Sequence, residues 1–487
     1  MVTNSIVVLI ICIFSFIPLI LGEKARNSSV LTCSDFMVQR RQMGIMPMYA
    51  TVFATWMSAF AFMGGIEYFY ERGPIYMTTV GWDMLFAILF VLVGRRIWFY
   101  GKRHGYMTSV DFFDDIYDSR TLNILVTAIN IIATLAYMQA QVVAAIIVFK
   151  IISGNTVSTY MAGIIFFVIL CIYLWAGGLR AVAYTDIFYM ILIIGAMLAS
   201  GVFLAEKAGG IEYIFRTLAD ASPEKVAMHN AQVPMWFSLF MIVPIGAFMG
   251  PQLWIRNYSA KSESNFNILP LLLGFTSIIS VGTLLAGSAC IILAGNTAAP
   301  DSILLVLMTK LAHPFFTIFI VIGIFAAIFS TANSQVHALA STFTLDIYRR
   351  YIDKTAPDSR LVRIAKWSII VISLISYTFM VLVSEGFFDL AVFALGGTAQ
   401  LMVPTAGALF WERSHSKAAI AGIISGEISL ILLNITGQLD TSICALIGFL
   451  VNIVIFSVTS LALPRRSTVS LKITYYRKEY NNRALEN

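Results

Sequence analysis

Apolar residues run along this chain in blocks of about 20, separated by short stretches that hold most of the charges. A helix of 20 residues rises about 30 Å, the thickness of a bilayer's hydrocarbon core, so each block is long enough to span a membrane. The pattern predicts thirteen helices, over residues 3–22, 45–66, 76–98, 121–149, 157–177, 182–206, 234–254, 268–295, 314–345, 364–384, 387–410, 417–436 and 442–463. A membrane barrel would instead show segments of about ten residues with alternating polarity, and none is present. The first block resembles a signal peptide's apolar region, but no Lys or Arg precedes Lys24, so it is read as a retained helix. The expected fold is an all-α integral membrane protein.

Composition agrees with the pattern. Hydrophobic residues make up 59% of the 487 and charged residues 12%, about half the share found in a soluble domain. Connections are short, so residues 1–487 are expected to form one transmembrane domain. The position of the basic residues matters more than the net charge of +6. Of 32 Lys and Arg, 26 fall on alternate connections and in the C-terminal tail, with 6 on the opposite side. Positive charge marks the cytoplasmic side, which places the N-terminus outside, the C-terminus inside and the chain in the plasma (inner) membrane. Such a collar faces anionic lipid headgroups, so nucleic acid is not an expected partner. Five well-separated cysteines support neither a disulfide framework nor a zinc site. Without HExxH or a nucleophile elbow, no enzyme is indicated, and no cofactor is expected.

Polar groups inside membrane spans are costly and point to function. In the block 314–345, Ser330, Asn333, Ser334 and His337 share one helical face, and Thr331 adjoins it. Five such groups along one stripe, in a span with little other polarity, favour an ion pathway over ordinary helix pairing. The block 45–66 carries Ala54-Thr55-Trp56-Met57-Ser58 and the pair Gly64-Gly65, which weaken a helix. An unwound helix would free backbone carbonyls for a cation. Asp186 reads either as an interfacial partner of Arg180 or as a carboxylate for cation binding. Asp83 lies deeper in its span. Tyr137, Gln139 and Gln141 offer hydrogen bonds to a solute, whereas Trp236, Phe237 and Phe240 read as packing.

These residues also carry a family resemblance. The run Gly177-Gly178-Leu179-Arg180-Ala181-Val182-Ala183-Tyr184-Thr185-Asp186 resembles a signature of the sodium/solute symporter family. So does Ala326-Ala327-Ile328-Phe329-Ser330-Thr331-Ala332-Asn333-Ser334-Gln335, and Met63-Gly64-Gly65 through Gly73 fits the family's pattern after its first core helix. The resemblance implies a leucine-transporter-like fold of two inverted five-helix repeats, each opening with a broken helix. The repeats would cover about 45–206 and 234–410, flanked by the helix 3–22, C-terminal helices within 417–463 and a cytoplasmic tail at 464–487. It implies a sodium site from the carbonyls of Ala54, Met57 and Ala327 and the hydroxyls of Ser330 and Thr331. A second sodium site would fall on Asp186, Ser330, Asn333 and Ser334, although Asn333 stands where an oxygen-bearing Ser or Asp is usual.

Proline-transporting members carry an aspartate where Trp56 stands and aromatic residues where Val243 and Ala247 align, so proline is disfavoured. Bulky Trp56 suits a small organic anion, amino acid or vitamin-like solute better than a sugar. Candidate pocket residues are Trp56, Phe60, Asp83, Gln141 and Phe393. The expected activity is sodium-coupled import of such a solute by alternating access, by a monomer among membrane lipids. Two alternatives are proton coupling through Asp186, Asp83 or His337, and a solute sensor without transport. The 24 residues after Leu463 leave no room for the fused kinase of sensory relatives.

Overall fold

The computed structural model describes residues 20, 32–74, 78–294, 300–382, 387–464 and 468–486. The expected helix at 3–22 lies outside them apart from Ile20. Among the described residues the regular structure is helical, with one isolated bridge between Met43 and Ala260. Among the described residues, nine helices are long and apolar enough to cross a membrane, or eleven when two bent pairs each count as one span, beside a shorter apolar stretch, Thr159–Ile172. Polar side chains fix several starts. Ser119 accepts from the Leu122 amide, Ser158 from Met161 and Asp440 from Ser442, each satisfying an amide that the first helical turn leaves open.

Two spans are broken. Ile45–Trp56 and Phe60–Arg72 meet at 53°, and Val233–Met249 and Pro251–Ser259 meet at 59°. The first break follows from Met57, whose ψ of 65° ends the helix and turns its carbonyl off the axis. The second follows from Gly250-Pro251. Proline pushes the preceding residue out of the α region, and Gly250 has ψ 140°, while Pro251 then starts the next half-helix. Both breaks fall in the helices that the resemblance marks as the openings of the repeats.

Each of the twelve expected blocks beyond residues 3–22 contains a helix, although Thr159–Ile172 is short for a span. Blocks 157–177 and 182–206 form two helices that meet at a sharp kink at Gly178, with φ 58° and ψ −158°. That conformation is essentially restricted to glycine, and a Cβ there would sit 2.8 Å from the Phe36 ring. The second of them, Gly178–Lys207, packs backbone to backbone on Asn265–Ala294, since a Cβ on Gly201 would lie 2.3 Å from the Gly282 carbonyl. Small residues allow this approach between membrane helices. The expected tail contains a helix, Thr468–Glu486. It docks through the Tyr476 hydroxyl on Asp115 (2.6 Å), Lys472 on the Asp115 carbonyl and an ion pair between Arg103 and Glu479.

Candidate functional site

The first break faces the helix Pro314–Ile352. There the Ser330 hydroxyl donates to the Ala54 carbonyl at 2.8 Å and lies 3.1 Å from the Ala327 carbonyl. The Thr331 hydroxyl reaches the Ala54 carbonyl at 3.2 Å and that of Thr55 at 3.4 Å. Ala54, Ala327, Ser330 and Thr331 are fully buried and Met57 is 2% exposed. Four of the five expected sodium ligands therefore touch one another, and Met57 borders the same break. The set is wholly of neutral hard oxygens, the chemistry suited to a small monovalent cation.

A second polar cluster adjoins the first. Asp186 accepts from the Thr51 hydroxyl at 2.6 Å, and the Thr55 and Ser334 hydroxyls lie 3.1 Å apart. Through it runs the side chain of Arg256, fully buried. Its guanidinium donates to Thr51 (3.1 Å), to the Gln252 carbonyl (2.8 Å) and to Ser334. Of the two readings of Asp186, the interfacial pairing with Arg180 is not formed. Arg180 reaches Asp35 at 3.7 Å instead, and Asp186 is buried rather than interfacial. Among the described residues, Oδ1 of Asp186 and Oδ1 of Asn333 are buried with no hydrogen-bond partner. His337, further along the same face, donates from Nε2 to the Phe36 carbonyl at 3.0 Å.

Beside the break lies a cavity lined by Trp56, Met57, Phe60, Trp82, Asp83 and Phe388 among others. The Trp56 indole N–H donates to Asp83, whose other oxygen accepts from Ser280 at 3.2 Å. Trp56 stacks on Phe86 with centroids 4.3 Å apart. The room inside is small, about 30 Å³, enough for about two waters.

Of the pocket candidates, Trp56, Phe60 and Asp83 line this cavity. Gln141 serves the backbone instead. Its Oε1 accepts from the Ala59 amide at 3.2 Å and so caps the half-helix after the break. Phe393 is not among the lining residues, whereas Phe388 and Leu395 of the same helix are. Sequence reasoning missed Thr51 and Arg256. Arg256 reads as a loop charge because it lies beyond the apolar block 234–254, but the half-helix Pro251–Ser259 carries it back into the protein. The Pro251 that starts this half-helix was the available signal.

Two broken helices around a cage of hydroxyls and carbonyls, with a cavity alongside, define a membrane transporter of the broken-helix class. The chain belongs to the sodium:solute symporter family, whose model matches residues 36–426. It is 25% identical over 418 residues to the uncharacterized symporter YhjB of Bacillus subtilis (strain 168), covering 84% of this chain and 85% of that one. It is 24% identical over 428 residues to the sodium/pantothenate symporter of Escherichia coli (strain K12), covering 83% and 85%. Its fold matches that of a sodium-coupled sialic acid symporter solved in a substrate-bound, outward-open state, with a TM-score of 0.79 over 94% of this chain and 97% of that one, at 19% identity. The protein is thus a symporter rather than an enzyme, and it couples sodium to the import of a small solute.

Proposed function

We propose that the coupling sodium binds the carbonyls of Ala54, Met57 and Ala327 and the hydroxyls of Ser330 and Thr331. The observation that carries this reading is the contact of both hydroxyls with the Ala54 carbonyl at the helix break. A cation entering there replaces those hydrogen bonds with ion–oxygen contacts, for which each hydroxyl turns a lone pair inward. The ion then ties the first broken helix to Pro314–Ile352 and steadies the cavity beside it, raising solute affinity. Coupling of this kind is reciprocal, so the solute tightens sodium by the same factor. Plasma-membrane location, an external N-terminus and a cytoplasmic C-terminus complete the reading, supported by the uneven placement of Lys and Arg.

One sodium per cycle is the stoichiometry we favour. A second ion among Asp186, Ser330, Asn333 and Ser334 would compete with Arg256, whose fixed positive charge already uses the hydroxyls of Ser334 and Thr51. The solute is a small organic molecule held next to Trp56, Phe60 and Asp83.

Sodium-dependent thermal unfolding tests the ion site. Sodium at a hundred times its dissociation constant stabilises the native state by about 2.7 kcal/mol. A double variant Ser330→Ala/Thr331→Ala should lose that shift, and sodium should act with a Hill coefficient of one. Retention of the full sodium shift by the double variant removes the assignment, and a coefficient near two removes the single-ion stoichiometry.

A further inference from the structure

Among the described residues, the solute cavity has one charged residue on its walls, and no lysine or arginine. That residue is Asp83, 2% exposed and set in the helix Gly81–His104. A carboxylate at membrane depth is costly and is kept where it binds something. Its hydrogen-bond partners, the Trp56 indole and the hydroxyls of Ser280 and Ser277, are all neutral donors. They hold the two oxygens in place, but they bring no positive charge to match a carboxylate. Seven aromatic side chains, among them Phe60, Tyr68, Trp82 and Phe388, make up about half of the remaining wall. Phe60 stacks on Phe388 with centroids 4.7 Å apart, Phe388 on Tyr68 at 4.4 Å, and Trp82 lies parallel to Phe60 at 6.1 Å. The faces of such rings carry negative potential and attract cations, ammonium groups above all.

From this geometry we infer that the solute carries a cationic nitrogen, an amine or quaternary ammonium, which Asp83 binds within the aromatic walls. The inference rests on the symporter reading and deepens it by naming the solute's charge. A simple organic anion, one of the sequence-based expectations, would meet a buried like charge here with no cation to offset it. An amino acid satisfies the condition through its ammonium end. The narrow free space further restricts the solute to a compact one, since Phe60 and Phe388 must move aside to admit it.

The test is a thermal-unfolding screen of the purified protein in sodium and, separately, in potassium, with matched probes. Choline is set against its uncharged carbon analogue 3,3-dimethylbutan-1-ol, the common amino acids other than Lys, Arg and His against their N-acetyl derivatives, and short monocarboxylates are included alone. Only probes with a cationic nitrogen should raise the melting temperature, and each neutral or anionic counterpart should fail to do so. For whichever probe binds, Asp83→Asn should weaken affinity about 30-fold or more, the expected result of leaving one partner of a buried charge pair unmatched. The sodium shift reports whether that variant is folded, and the matched pairs decide the question on the wild-type protein should it not be. Stabilisation by a monocarboxylate or an N-acetyl compound overturns the inference. So does undiminished affinity in Asp83→Asn, or a sodium-responsive protein that no cationic probe shifts. A melting temperature indifferent to sodium is a different failure, and it overturns the ion site.

Discussion

A hydroxyl buried in a membrane protein needs a partner, because an unsatisfied polar group there is costly. Ser330 and Thr331 meet that need on a carbonyl released by a helix break, and the same oxygens then become available to a cation. Nearby, Arg256 spreads its donors over Thr51, Ser334 and the Gln252 carbonyl beside Asp186. Replacing it by Gln leaves Asp186 without that buried cation, so Arg256→Gln should cost about 3 kcal/mol, read as a lowered melting temperature. A second residue-scale prediction concerns Cys33, outside the spans. Burial, reinforced by the Asp358 carboxylate, pushes its thiol up to about 11. A variant retaining Cys33 as its single cysteine should resist N-ethylmaleimide at pH 7.5 and label only on unfolding or as pH approaches 11, because the thiolate is the reacting form. Rapid labelling of the folded protein at pH 7.5 would contradict the burial. At this scale the buried polar face of Pro314–Ile352 was legible, since Ser330, Asn333, Ser334 and His337 recur at helical spacing. The capping role of Gln141 was not, because its partner, the Ala59 amide, opens only when the helix breaks.

Helix breaks and close helix contacts organise the next level. The first break was legible from small residues around Ala54 and Met57, and the Gly177-Gly178 pair marked a discontinuity between two apolar blocks. Its nature was not legible. Local sequence cannot tell a loop from a kink, and the Gly178 kink depends on Phe36, which is remote in the chain. Gly178→Ala should destabilise the fold by about 1–3 kcal/mol, through the positive φ and the clash with Phe36. Gly282→Ala acts by a different route. Its methyl would lie 2.5 Å from the Met197 carbonyl, forcing apart the helices Gly178–Lys207 and Asn265–Ala294, for about 1–3 kcal/mol. Differential scanning fluorimetry reads both, and an unchanged melting temperature for either would contradict the packing described.

For the whole molecule, hydropathy alone delimited most spans, because apolar length is a strong constraint in a bilayer. Hydropathy said nothing of the tail helix Thr468–Glu486, whose contacts with Asp115 and Arg103 bring together residues far apart in the chain. The central claim is that sodium, held between the first broken helix and Pro314–Ile352, drives solute entry. Uptake by proteoliposomes under an imposed sodium gradient tests it most directly, with the solute found in the screen and with the wild type beside Ser330→Ala/Thr331→Ala. The account predicts accumulation that requires inward sodium, collapses when the gradient is dissipated and is lost in the double variant. Accumulation driven by a pH gradient in sodium-free buffer, or undiminished in the double variant, would contradict it.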